Sequence, residues 1–198
     1  MVKHSLSKLA LSLTVALGTA GSALAATTID FESTATGTYS SLGYGPVSIS
    51  FLAGSGTFDV QNENPGPPVS DHVLISYFTN PGPGSFQATF SGGASSVSIG
   101  VNDYPSSDTD DVHLRAYDAV NVLLASDFKV IPGSGPGVTL TVSSATPIAR
   151  VEWNQTGDYP GSVYWDNLTY APVPEPGTYA MMGMGLGLVS LARRRKAV

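Results

Sequence analysis

Two pairs of oxygen donors stand near the two ends of the central part of this 198-residue chain. Asp30 and Glu32 lie two residues apart in Ile29-Asp30-Phe31-Glu32, so an extended backbone puts them on one face. Asp166 and Asn167 lie in Val163-Tyr164-Trp165-Asp166-Asn167-Leu168-Thr169-Tyr170, where alternation places Asp166 with Tyr164, Leu168 and Tyr170. A carboxylate among apolar neighbours is costly unless a cation or several hydrogen bonds answer it. Calcium takes about six to eight oxygens from carboxylates, amides and carbonyls. Asp30, Glu32, Asp166 and Asn167 are therefore the candidate ligands of a structural Ca2+ ion. The alternative is that Asp166 caps a strand end and Glu32 faces water. A second acidic group, Asp103, Asp108, Asp110 and Asp111, lies between two strand patterns. It lacks the Asp-x-Asp-x-Asp-Gly order of a calcium loop and reads as a solvated segment that keeps a sheet edge from sticking, with loose calcium binding as the alternative.

Other chemistries find no seat. The chain has no cysteine, which excludes thiol catalysis. It has no Gly-x-Ser-x-Gly elbow for a hydrolase serine. His72 and His113 stand apart from any other histidine, whereas zinc needs three or four ligands at suitable spacing. Paired carboxylates could cleave a glycosidic bond, yet no short signature joins two of them in an apolar groove. No catalytic residue is expected, and the chain reads as a non-enzyme.

The elements that must carry these residues are strands. Short runs with period-two alternation are punctuated by Gly, Pro, Ser, Thr and Asn, and no window holds a helical period. Ser96–Val101 sets Val97, Ile99 and Val101 on one face, and Val112–Tyr117 turns Val112, Leu114 and Ala116 inward. Val120–Ala125 reads as a strand after a tight turn at Asp118-Ala119, and Phe128–Ile131 as the next. Ten to twelve strands at close spacing predict an all-β, antiparallel two-sheet β-sandwich, jelly-roll-like, over residues 26–172. Trp153 shares the phase of Val151 and belongs to the core. Asp103-Tyr104-Pro105 and Asp158-Tyr159-Pro160 end two strands alike, so Tyr104 and Tyr159 are the candidate ligand-stacking aromatics, with plain turn chemistry as the alternative.

Charge narrows the partners. The whole chain carries −6, but residues 26–172 hold fourteen acidic side chains against Arg115, Lys129 and Arg150. This balance excludes nucleic acid, whose phosphates need cations, and favours divalent cations and neutral polymers.

Both ends carry targeting signals. Lys3 and Lys8, the apolar Leu9–Ala20 stretch and Ala23-Leu24-Ala25 form a signal peptide over 1–25, a helix cut after Ala25 by signal peptidase once the Sec machinery has engaged it. Residues 173–198 hold Pro174-Glu175-Pro176, an apolar run Tyr179–Ala192, and Arg193-Arg194-Arg195-Lys196. Two prolines about a glutamate keep the chain extended and accessible. The fourteen residues of this run make a hydrophobic helix of roughly 21 Å, and the basic cluster keeps its end cytoplasmic.

This tail resembles the PEP-CTERM sorting signal of exported bacterial proteins, a kind of tail also labelled an ice-binding-protein C-terminal domain. That second label says nothing of ice, because the tail is an address. The resemblance implies an exosortase-like membrane protease as partner, transient anchoring in the inner membrane through the helix, and release to the cell surface or extracellular matrix. The body's opening and closing segments are similar to the ends of galactose-binding-like and carbohydrate-binding jelly rolls. There the first and last strands meet and many hold a structural calcium; carried over, Glu32 and Asp166 are ligands and Asp30 or Asn167 helpers. The expectation is an exported, polysaccharide-associated, non-catalytic binding module. A structural or adhesive matrix protein, or a glycan-active enzyme, is the alternative.

Overall fold

The computed structural model describes residues 25–52, 56–76, 85–103, 108–133, 135–157, 159 and 161–174. Among them are eleven strands and no helix. In order they are β1 (Thr27–Ile29), β2 (Gly37–Tyr39), β3 (Ser41–Tyr44), β4 (Val47–Phe51), β5 (Phe58–Asn62), β6 (His72–Ile75), β7 (Phe86–Asn102), β8 (Thr109–Tyr117), β9 (Leu123–Pro132), β10 (Val138–Gly157) and β11 (Tyr164–Pro172). The expected signal helix and C-terminal helix lie outside the described residues, as do Ala23, Tyr104, Glu175, Pro176, Arg193, Arg194 and Arg195.

All strand pairs are antiparallel and belong to one hydrogen-bonded sheet. The sheet folds back on itself into two layers because β7 and β10 run through both. One layer orders β3-β4-β7-β10-β8-β9 and uses the first part of β7 and the last part of β10. The other orders β2-β5-β6-β11-β7-β10 and uses the remaining halves, with β1 on the β6 edge of β11.

The bend is a change of side-chain phase. Phe86, Ala88 and Phe90 are buried, and then Val97, Ile99 and Val101. Leu140 and Val142 are buried, and then Val151 and Trp153. A strict period of two cannot join even to odd positions, so each strand slips a residue: β10 shifts register between Ser143 and Ile148 and again before Arg150. Gly93, at φ 74, takes the bend in β7, and a Cβ there would stand 3.1 Å from Pro147. The sequence shows each half as a separate strand for this reason. Inside the fold Phe58 of β5 meets Phe51 at 6.2 Å and Phe86 at 5.5 Å, and Phe86 stacks on Trp153 at 5.5 Å.

Two expectations change. Val120–Ala125 is not a strand from its start, because Asp118 Oδ1 accepts the amides of Val120 and Val122 and holds a five-residue hairpin loop with Asn121 at φ 65. β9 starts at Leu123 and continues unbroken to Pro132. β2 and β3 arise in the Gly37–Tyr44 stretch, where the sequence pattern marks no strand; β3 pairs with β4 and β2 with β5 at the sheet's edges.

The 63–71 segment lies across β7, β10 and β11, and glycines make the room. A Cβ on Gly137 would stand 2.6 Å from the Val101 carbonyl oxygen and 2.7 Å from Pro68. Gly137→Ala in the full chain should therefore lower Tm by roughly 3–10 °C in calorimetry. Gly43→Ala, which meets nothing within 4 Å, should stay within about 2 °C of the parent. Equal effects of the two would show that this close packing is not needed.

Candidate functional site

Asp166 is 1% exposed in β11. The strand bulges immediately after it, with Asn167 at φ 52 and a register shift before Thr169. The bulge overturns the expected grouping with Leu168 and Tyr170. Trp165, Leu168 and Tyr170 join the main core, whereas Tyr164 packs with Val69, Val73 and Ile75. Asp166 follows the phase of Tyr164, toward the 63–71 segment. Its Oδ1 accepts the Asn167 amide at 2.6 Å; its Oδ2 accepts Ser70 N at 3.3 Å and Asn167 Nδ2 at 2.9 Å. The same Asn167 amide group donates to the Pro68 carbonyl at 2.9 Å. Burial pushes the Asp166 carboxyl up to about 7; the two backbone amides pull it down, and Glu32 and Asp30 push it up again. Asp30 and Glu32, both exposed, therefore stand near Asp166, where β1 runs beside β11. Glu32 Oε1 accepts His72 N at 3.2 Å, and Asp30 Oδ1 accepts Glu32 N at 3.3 Å.

A closer convergence of carboxylates lies at the other acidic group, and it corrects the reading of a solvated segment. Asp103 follows β7, and Asp108 and Asp110 flank the start of β8. One carboxylate oxygen from each lies within 4.8 Å of the other two, a group that could hold a metal ion. Asp110 is fully buried and Asp103 is 8% exposed. Asp110 is paired on the backbone with Ile131 and Gly157, and its side chain points inward in the phase of Val112, Leu114 and Ala116. Gln155 Nε2 donates to its Oδ1, while its Oδ2 is buried without a hydrogen-bond partner. Burial, then the Asp103 charge, pushes the Asp110 carboxyl up to about 7. Gln155, 2% exposed, accepts Gly161 N on its Oε1 at 2.6 Å. Asp111 turns to the opposite face, beside Thr156 and Val130. The missed signal was phase: Asp110 continues the buried positions of β8, and Gln155 continues Val151 and Trp153.

The 63–71 segment touches both places. Asn102 Nδ2 donates to the carbonyls of Pro65 and Gly66, and Asn102 Oδ1 accepts Asp103 N.

The outer face of the β4-β7-β10-β8-β9 layer carries the planar and polar groups. Asn154, His113 and Phe128 form one cross-strand row. His113 and Phe128 rings stand 4.9 Å apart, and Arg115 donates to Asn154 at 2.9 Å. Farther along, Arg150 lies 4.4 Å over the Tyr117 ring and is paired with Glu152. Burial and neighbouring Arg115 lower the His113 pKa, against Asp111. Tyr159, at φ 51, is 64% exposed in the β10–β11 connection. Ala25 is exposed, and Pro174 follows β11 by two residues.

Residues 172–196 match the family model of the PEP-CTERM protein-sorting motif. No curated protein matches the chain. Among solved structures it is similar to the C-terminal family 22 carbohydrate binding module of Clostridium thermocellum Xyn10B, at 14% identity and TM-score 0.46 over 74% of this chain and 92% of that one. It is similar to the K3 cleaved adhesin domain of Lys-gingipain from Porphyromonas gingivalis, at 15% identity and TM-score 0.41 over 73% and 97%. With an arabinose-bound α-L-arabinofuranosidase it shares 13% identity and TM-score 0.43 over 63% of its own length, spanning 23% of that enzyme.

The two raised aspartates fix a pH dependence. Their folded pKa values rise from 3.8 to about 7, so between those values the folded chain binds more protons than the unfolded one. Their contribution is complete below pH 4 and is lost as pH rises through 7. With divalent cations chelated, Tm should fall by more than about 5 °C from pH 5 to pH 8, and Asp110→Asn should flatten the slope. A Tm that climbs over this range would contradict the raised values.

Proposed function

We propose that the protein is exported through the Sec machinery, trimmed by signal peptidase after Ala25, and anchored transiently in the inner membrane by its C-terminal apolar run. An exosortase-like protease then cuts near Pro174-Glu175-Pro176 and releases the body to the cell surface or extracellular matrix. The observation that carries this reading is the sorting-motif match at 172–196. It is supported by the position of the proline-bounded motif in the sequence, which begins two residues after β11 ends at Pro172.

The mature body acts as a non-catalytic module that holds extracellular polysaccharide. A sugar ring offers an apolar face and a rim of hydroxyls, so it needs an exposed ring beside donors and acceptors. Phe128, half-exposed beside His113 and Asn154, and Tyr159 with its exposed ring supply the planar groups. The scarcity of basic residues favours neutral chains over anionic ones. In the same reading Asp30, Glu32, Asp166 and Asn167 hold a structural calcium where the first and last strands meet, supported by the charge that Glu32 and Asp30 impose on buried Asp166. A second reading, self-adhesion in a matrix, is favoured by the exposed Val120, Val122, Leu123 and Val130.

Two experiments test these steps. Replacing Pro174-Glu175-Pro176 by three alanines should leave a full-length, membrane-associated product on immunoblots where the parent yields a shorter, released one; unchanged processing would discard the sorting step. In pull-downs with insoluble neutral polysaccharides, the full chain in mild detergent should be retained, and Phe128→Ala or Tyr159→Ala should each weaken retention about tenfold, roughly 1.4 kcal/mol. Concentration-dependent self-association without any polymer retention would favour the adhesive reading instead.

A further inference from the structure

We propose that Asp103, Asp108 and Asp110 form a second cation site, distinct from Asp30, Glu32, Asp166 and Asn167, which takes calcium and fixes the connection carrying Tyr159 through Gln155.

The first support is chemical. Three carboxylates supply hard oxygen donors, one from each side chain and all within 4.8 Å of one another. Calcium accommodates several carboxylates at about 2.3–2.6 Å in flexible geometry, whereas magnesium demands a near-ideal octahedron and keeps several of its waters.

The second support is the orphaned oxygen. Asp110 is fully buried, and Gln155 satisfies only its Oδ1. Its Oδ2 lies within the protein with no hydrogen-bond partner. A buried carboxylate oxygen left so is costly unless a cation or a proton meets it. The basic side chains of the body serve elsewhere: Arg115 bonds to Asn154, Lys129 to the Thr139 carbonyl, and Arg150 pairs with Glu152. A proton on Asp110 removes one charge and leaves those of Asp103 and Asp108 together. A divalent ion answers the three at once.

The third support is what the site is attached to. Asp110 is fixed by pairing to β9 and β10, and the Asp108 carbonyl accepts Gly133 N at 2.8 Å. Because Gln155 Nε2 faces Asp110, its Oε1 must face the other way, onto Gly161 N. Its Nε2 also lies 3.5 Å from the Tyr159 carbonyl. An ion that pins the Asp110 carboxylate therefore pins the Gln155 amide, and with it the backbone on both sides of residue 160. The site does not rest on the polysaccharide reading and can stand if that fails.

The test uses the full chain in mild detergent, stripped with chelator and titrated with calcium chloride or magnesium chloride in a calorimeter. Amide exchange at Gly161 is followed in parallel. Calcium should bind saturably with a Kd of about 10⁻⁴–10⁻³ M, as in extracellular modules, and slow Gly161 exchange at least tenfold; magnesium should bind at least tenfold more weakly. Asp110→Asn keeps the shape and the Gln155 contact; it and Asp103→Asn should each remove one calcium equivalent and the exchange effect. Asp166→Asn should leave that step in place. No saturable calcium step, or a step that survives in Asp110→Asn and Asp103→Asn, would overturn the site. Loss of the step in Asp166→Asn alone would assign it to the other cluster, and magnesium binding as tight as calcium would overturn the choice of ion.

Discussion

Placing a carboxylate inside a β-sandwich requires something to answer its charge, and this chain has little to answer with. Residues 26–172 hold three basic side chains against fourteen acidic ones. Arg115, Lys129 and Arg150 are committed to an amide, a carbonyl and a glutamate on the sheet's outer face and its edge. The two deeply buried carboxylates are consequently met in other ways. Asp166 is given three N–H donors, two of them from the bulge that it adjoins. Asp110 receives one from Gln155 and keeps an oxygen unanswered. The difference separates a carboxylate built into the backbone network from one whose surroundings are incomplete.

Both carboxylates sit where the sheet departs from regularity. Asp166 precedes the bulge of β11. Asp110 lies at the start of β8, opposite Gly157 at the end of β10. Strand interiors supply rigid positions, and bulges and ends supply unpaired amides and the freedom to aim a side chain inward. The 63–71 segment ties the two places together, accepting from Asn102 at one end and donating to Asp166 from Ser70 at the other. It can lie so close because Gly100 and Gly137 present no side chain beneath Pro68.

Much of the fold was legible because alternation reports burial directly. Val112, Leu114 and Ala116 face inward as their phase requires, and Trp153 is fully buried beside Val151. The joining of the first strand to the last, anticipated from the two terminal segments, appears in the pairing of Thr27–Ile29 with Leu168–Tyr170. What was not legible is phase change. A bulge moves every later side chain to the opposite face, and nothing in Asp166-Asn167 announces that Asn167 adopts positive φ. The continuity of β7 and β10 was hidden likewise, since a bent strand looks like two. The convergence of Asp103, Asp108 and Asp110 was hidden by sequence order, because it depends on two strand ends meeting. Asp110 and Gln155 did carry a readable sign, a polar residue in a buried register.

The last backbone contact of the body has a geometric consequence. Val173 N donates to the Gly93 carbonyl at the bend of β7, so the chain is held to the sheet up to that residue. Only 174–178 then separate it from the apolar run, a tether of at most about 18 Å when fully stretched. Were the body attached to a bilayer through this tail, its point of attachment, beside the β7 bend, would stand within that reach of the lipid headgroups.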